Sequence, residues 1–224
     1  DLDYAVICLQ GSRMLGMAQS EDADYDYRGV YVASNKDLLS FNNRPKETIE
    51  GGSYGDDEVE WVFHEVEKFF RLAVKSNPSV VHLFFVPEYN LLSDIGREIV
   101  NSSHLFLTEH FVRSAFGGYA MSQMDYLRRN RGNSRRHEKN VRHCFRLFDS
   151  GRELLETGRM TLPLYNAQHY IDLGEKINDE GGVGELYKLF QEKDAEFKAA
   201  PSILPQEVDM VGVSKLLIRI RGLE

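Results

Sequence analysis

Residues 4–32 read YAVICLQGSRMLGMAQSEDADYDYRGVYV, and the pattern of that stretch decides the fold. Tyr4 to Gln10 is a short apolar run, which predicts a buried first strand. Gly11-Ser12 breaks it, and a short helix or loop follows through Ala18. Ser20-Glu21-Asp22 is a turn signal. Tyr25 to Val32 reads as a second strand, with Gly29 as a bulge or a point of close approach. Side chains alternate along a strand, so Asp24, Asp26 and Arg28 share one face. Adjacent carboxylates repel each other, and a cation between them relieves the repulsion. Hard oxygen ligands of this kind suit Mg²⁺ or Mn²⁺, bound through one or two carboxylates plus substrate phosphates. The implied chemistry is metal-assisted phosphoryl or nucleotidyl transfer. The competing reading is a solvated acidic turn after Ser20-Glu21-Asp22.

A strand ending in Gly-Ser at a helix start presents backbone N–H groups to a phosphate, helped by the helix dipole. Gly11 and Ser12 are therefore the expected nucleotide-phosphate residues. Arg28 is expected to meet a phosphate or to order the carboxylates. A third acid from a neighbouring strand completes a two-ion arrangement. Residues 57–63, DEVEWVF, alternate, with Glu58 and Glu60 opposite Val59, Trp61 and Phe63. Glu60 is the first choice for the third acid and Glu58 the alternative.

Further along the chain, residues 34–56 are polar and glycine-rich and read as a loop or hairpin connection. Val66, Phe69, Phe70 and Ala73 recur at helical spacing. Asn77-Pro78 ends that helix, and residues 80–86, VVHLFFV, read as another buried strand. Beyond residue 90 helical patterns dominate. Residues 106–129 read as one helix or as two divided at Gly117-Gly118, and residues 138–155 as a strong helix. Residues 165–177, 183–199 and 209–220 follow as further helices. The expected architecture is α+β: a mixed, mainly antiparallel sheet with flanking helices in residues 1–90, the catalytic core, and a helical C-terminal domain in 91–224.

Bulk composition narrows the function classes. A net charge of −8 argues against a surface that coats nucleic acid throughout, though it permits a local basic patch. No apolar run is long enough to span a bilayer, and no signal-peptide pattern is visible. Cys8 and Cys144 sit among apolar neighbours and fit reduced, buried residues of a cytoplasmic protein. Against this acidic background, Arg128, Arg129, Arg131, Arg135 and Arg136 form a basic run suited to nucleic acid, or to a solvated loop. Lys139, His143 and Arg146 share a helix face that could meet a triphosphate or an RNA backbone.

The pairing of Gly11-Ser12 with D-x-D on a strand resembles the signature of the DNA polymerase beta-type nucleotidyltransferase superfamily. The wider pattern is similar to the nucleotidyltransferases associated with RNA repair. It comprises GSR, a later glycine, DYDYRGVYV, then KSNPSVVHLFF at 75–85 and RHCFRL at 142–147 with LLETG downstream. The likeness runs from about residue 5 to 215. The resemblance implies that Gly11 and Ser12 bind a nucleoside triphosphate, expected to be ATP, while Asp24 and Asp26 bind metal. It implies transfer of a nucleoside monophosphate to a hydroxyl, an RNA end, with release of pyrophosphate. The alternatives are nucleotidylation of a protein or small molecule, and a non-catalytic nucleotide-binding module. His82 departs from the family pattern, standing where an acid is expected in a strand after Asn77-Pro78.

Overall fold

The structure, a computed structural model, describes residues 2–20, 23–42, 44–53, 58–130 and 135–223. The chain forms two compact units, Asp1–Leu107 with Val208–Glu224, and Thr108–Glu207. Residues 91–107 and the last helix, grouped with the helical part by the division at residue 90, belong to the first unit.

The first unit is built on a five-stranded sheet. Strand β1 (Asp3–Gln10) buries Ala5, Val6 and Cys8, as its apolar run dictates. The chain turns at Gly11 into the short helix α1 (Gly11–Leu15) and returns as β2 (Tyr25–Val32), antiparallel to β1. The described part of residues 34–53 fits the hairpin rather than the loop reading. It holds α2 (Asn35–Leu38), capped by Ser34, and β3 (Thr48–Ser53). Strand β3 is an edge strand with four exposed residues out of six and Gly51-Gly52 in its middle, so it carries no alternating pattern to read. It pairs antiparallel with β4 (Val59–Glu65), which runs parallel to β2. The order is β3-β4-β2-β1-β5, where β5 is the short edge strand Leu91–Leu92. Three of the four pairings are antiparallel, which matches the mixed α+β sheet expected from sequence.

Helix α3 (Val66–Ala73) buries Val66, Phe69, Phe70 and Ala73, the face its periodicity predicts. The apolar run that follows is a correction to the sequence reading. Residues 80–86 form no strand: α4 (Pro78–Val81) leads directly into a 3-10 turn, His82–Phe84. Asn77 caps α4 by accepting the Ser79 N–H at 3.0 Å, and Pro78 occupies the first helical position. That is a helix-start signal, and it overrides a short apolar run that periodicity cannot assign. His82 is consequently buried in a turn rather than displayed on a strand. Phe69, Phe84, Phe70 and Phe106 then pack ring to ring, with centroids 4.8 to 5.5 Å apart between neighbours. Helix α5 (Asp94–Asn101) covers β1 from the far edge.

The second unit is helical: α6 (Glu109–Arg129), α7 (Arg135–Thr157), α8 (Ala167–Glu175) and α9 (Gly182–Ala199). Helix α6 runs unbroken through Gly117-Gly118, because Phe197 of α9 packs against Gly117 and tertiary contact outweighs helix propensity. Arg113 of α6 fastens the end of α9, donating to the carbonyls of Phe197 at 2.8 Å and Ala200 at 2.6 Å. Cys144 is a buried free thiol, pushed by desolvation to a pKa of about 12. Helix α10 (Met210–Ile220) returns to the first unit, where it packs on α3. Just beyond it, Arg221 forms a buried ion pair with Glu65 at 2.7 Å. Among the described residues, no helix is long and apolar enough to cross a membrane.

Candidate active site

The site begins where β1 stops. Gly11 has φ +67°, a left-handed conformation that a side chain disfavours. A Cβ there would also overlap the carboxylate of Asp26, so the backbone of the turn rests directly on that acid. Arg13 locks the turn to the entry of β2. Its Nε donates to the Ala23 carbonyl at 2.8 Å, and its guanidinium lies 3.9 Å from the Tyr25 ring centroid. The Ser12 carbonyl accepts the Met17 N–H at 2.8 Å, and Ser12 itself is partly exposed.

Register sets two of the acids side by side, Asp26 and Glu60. Asp26 stands opposite Gln10 of β1 and beside Glu60 of β4. Arg28 lies 3.9 Å from Asp26 Oδ1 and donates to the Tyr27 carbonyl at 3.2 Å. The Glu58 carbonyl accepts the Tyr25 N–H at 2.8 Å, which sets Glu58 alongside Asp24. The two side chains share a hydrogen bond. That bond, the Asp24 charge, desolvation and Glu60 together raise the Glu58 carboxyl above the usual carboxylate range. Asp24, Glu58 and Glu60 are all exposed to solvent.

Among the described residues no three acids, histidines or cysteines converge into a ready-made metal cage. Asp24 and Asp26, separated by one residue at the start of β2, are hard oxygen donors of the type a cation takes alongside waters and substrate phosphate. Two residues that matter here carry only a faint sequence signal. Gln10 is a buried polar residue at the end of an apolar strand, donating to Cys8 Sγ at 3.5 Å. Arg13 directly follows Gly11-Ser12.

The basic residues lie in the second unit. Lys139 is exposed. His143 is mostly buried, and burial, then the charges of Arg146, Lys139 and Arg142, lower its pKa to about 3. Arg146 is 4 % exposed; it lies 3.3 Å from His143 Nδ1, and desolvation lowers its pKa to about 10. The face shared by Lys139, His143 and Arg146 therefore runs from solvent into the interior. Arg128, Arg129, Arg135 and Arg136 are exposed. Arg128 lies over the Tyr187 ring at 5.1 Å and Arg136 over Tyr126 at 5.0 Å. Arg128 and Arg129 lie 4.0 and 3.8 Å from Asp125. Arg131 lies outside the described residues.

Comparison with known proteins agrees with the motif. The model of the RNA repair pathway DNA polymerase beta family matches residues 4–202. Comparison with curated proteins finds no match. Among solved structures, a nucleotidyltransferase-like protein from Exiguobacterium sibiricum is similar at 12 % identity, over 98 % of this chain and 71 % of that one, with a TM-score of 0.33. With a match over most of its length and the motif on β1 and β2, the chain belongs to the RNA repair pathway DNA polymerase beta family.

Proposed function

We propose that the protein is a metal-dependent nucleotidyltransferase that moves a nucleoside monophosphate from a triphosphate, ATP first among them, to the hydroxyl of an RNA end. The observation that carries this reading is the turn at Gly11 lying against Asp26, with Asp24 and Glu58 sharing a hydrogen bond beside it. Gly11 and Ser12 bind the triphosphate through backbone N–H and hydroxyl groups. Asp24 and Asp26 hold Mg²⁺ or Mn²⁺. The bound ion supplies charge neutralisation of the phosphates and a more acidic acceptor hydroxyl. The acceptor oxygen forms a bond to the α-phosphorus, the bond to the β-phosphate oxygen breaks, and pyrophosphate leaves. Glu60, or Glu58 in its stead, is the third acid of the metal-holding set, and it takes the acceptor's proton. Arg28 holds the Asp26 carboxylate in position and balances its charge. Lys139 is the surface member of its helix face and takes an RNA-backbone phosphate, while His143 and Arg146 support it from within. Arg128, Arg129, Arg135 and Arg136, interleaved with Tyr126 and Tyr187, bind the RNA strand.

Incubating the protein with α-labelled triphosphate, Mg²⁺ and separate pools of RNA, protein and small-molecule acceptors tests this reading. Label in RNA with release of pyrophosphate is the expected result. Label confined to another pool assigns the same chemistry to a different acceptor. Metal-dependent nucleotide binding with no transfer to any pool would leave a non-catalytic module.

A further inference from the structure

Beside the acids, on the same face of the sheet, lies a cavity of about 260 Å³. Arg28 belongs to both sites: it lines the cavity and also lies 3.9 Å from Asp26 Oδ1. Val62 and His64 of β4 form the sheet wall, and Val62 is the register partner of Arg28. Phe69 of α3, Val80 of α4 and Leu83 of the following turn form the opposite side, with the exposed Ser79 among the lining residues.

The chemistry of this lining selects a ligand. Four of the residues named are apolar, and Arg28 is their one fixed charge, already close to an aspartate. A second phosphate would find no spare cation here. A flat, uncharged ring with a polar edge fits, because apolar walls accept its faces while Arg28, His64 and Ser79 meet its heteroatoms. Thr48 Oγ1 engages His64 Nδ1 at 3.0 Å, which leaves Nε2 for a ligand. Burial, with Lys68 and Arg28 nearby, lowers the pKa of that imidazole and so favours its neutral form, whose ring nitrogens comprise one donor and one acceptor. The volume falls below the roughly 300–1,000 Å³ that encloses a drug-sized ligand, and so suits one ring system rather than a whole nucleotide. We infer that this cavity receives the nucleobase of one of the two reacting nucleotides, beside the phosphate turn. The inference rests on the nucleotidyl-transfer reading above.

Val62→Phe and Ser79→Phe fill the cavity from opposite sides without touching the acids or the Gly11 turn. Calorimetry with Mn²⁺ plus inorganic tripolyphosphate, and with Mn²⁺ plus each triphosphate, is paired with KM for an RNA oligonucleotide acceptor. Both folded variants are expected to keep tripolyphosphate binding. Each is also expected to lose about tenfold, the scale of one stacked base, either in triphosphate affinity or in acceptor KM. The first result assigns the pocket to the incoming nucleotide and the second to the acceptor. If neither quantity moves in Ser79→Phe, altered at an exposed position, or in Val62→Phe, the inference is overturned while the phosphate site stands. If the unaltered protein binds neither tripolyphosphate nor any triphosphate, the underlying reading fails and takes the inference with it.

Discussion

At the scale of single residues, Gly11 is the position where sequence, backbone and chemistry meet. Its left-handed φ and its contact with Asp26 make two separate demands. Gly11→Ala is therefore expected to cost about 1–2 kcal/mol in stability from φ alone and to displace the carboxylate as well. Gly158→Ala is the control, since Gly158 has φ +70° but a Cβ there meets only ordinary contacts with Ile203 and Leu204. Thermal unfolding should show the larger loss in Gly11→Ala, which adds the Asp26 overlap to the φ cost, while nucleotide transfer falls only in that variant. His143 makes a second residue-scale prediction. Its pKa falls from 6.5 to about 3 on folding, so between those values the unfolded chain binds the extra proton. Stability then declines as pH drops from 6.5 toward 3, by up to about 1.4 kcal/mol per pH unit from this group. Denaturant titrations of His143→Gln across that range should show a shallower acid slope; an unchanged slope would contradict the buried, neutral imidazole. The candidate residues legible in the sequence are those whose signal is local. Gly11, Ser12, Asp24 and Asp26 announce themselves by spacing. Gln10, Arg13 and the Glu58–Asp24 hydrogen bond depend on strand register and a folded turn, which no local pattern encodes.

At the scale of elements, the buried pair of Arg221 and Glu65 fastens the chain's last helical turn to the junction of β4 and α3. Glu65 also caps α3 by accepting the Glu67 N–H at 2.8 Å, and Arg221 donates to the Ala33 carbonyl at 2.9 Å. Removing one member leaves the other's charge buried without its counter-ion. Arg221→Met should cost about 3–5 kcal/mol in equilibrium unfolding, and adding Glu65→Gln should restore part of that loss. Additive losses would show that the pair does not act as a unit. The elements themselves divide by how strongly they are patterned. Strands β1, β2 and β4 and helices α3 and α7 carry long or alternating apolar signals, and each forms where its pattern predicts. Strand β3 is exposed and glycine-rich, β5 spans two residues, and α4 hides in an apolar run whose only helix signal is Asn77-Pro78.

At the scale of the whole molecule, charge is unevenly spread. A chain of net −8 keeps four exposed arginines, Arg128, Arg129, Arg135 and Arg136, around the end of α6 and the start of α7. If they bind a single strand, changing all four to alanine should weaken RNA binding and reduce the salt slope of log K by up to about 3, at roughly 0.7 per phosphate contact. Manganese–triphosphate binding should stay unchanged, because the proposed phosphate turn lies elsewhere in the chain. An RNA affinity and salt slope indifferent to all four changes would remove the nucleic-acid role from this surface. The measurement that bears most directly on the central claim is calorimetry of Mn²⁺ with ATP on the unaltered protein and on Asp24→Asn/Asp26→Asn, both shown to be folded. A strictly metal-dependent binding heat in the first that is lost in the second is the predicted result. Equal binding by both proteins, or none by the unaltered one, would contradict a site built from these two aspartates.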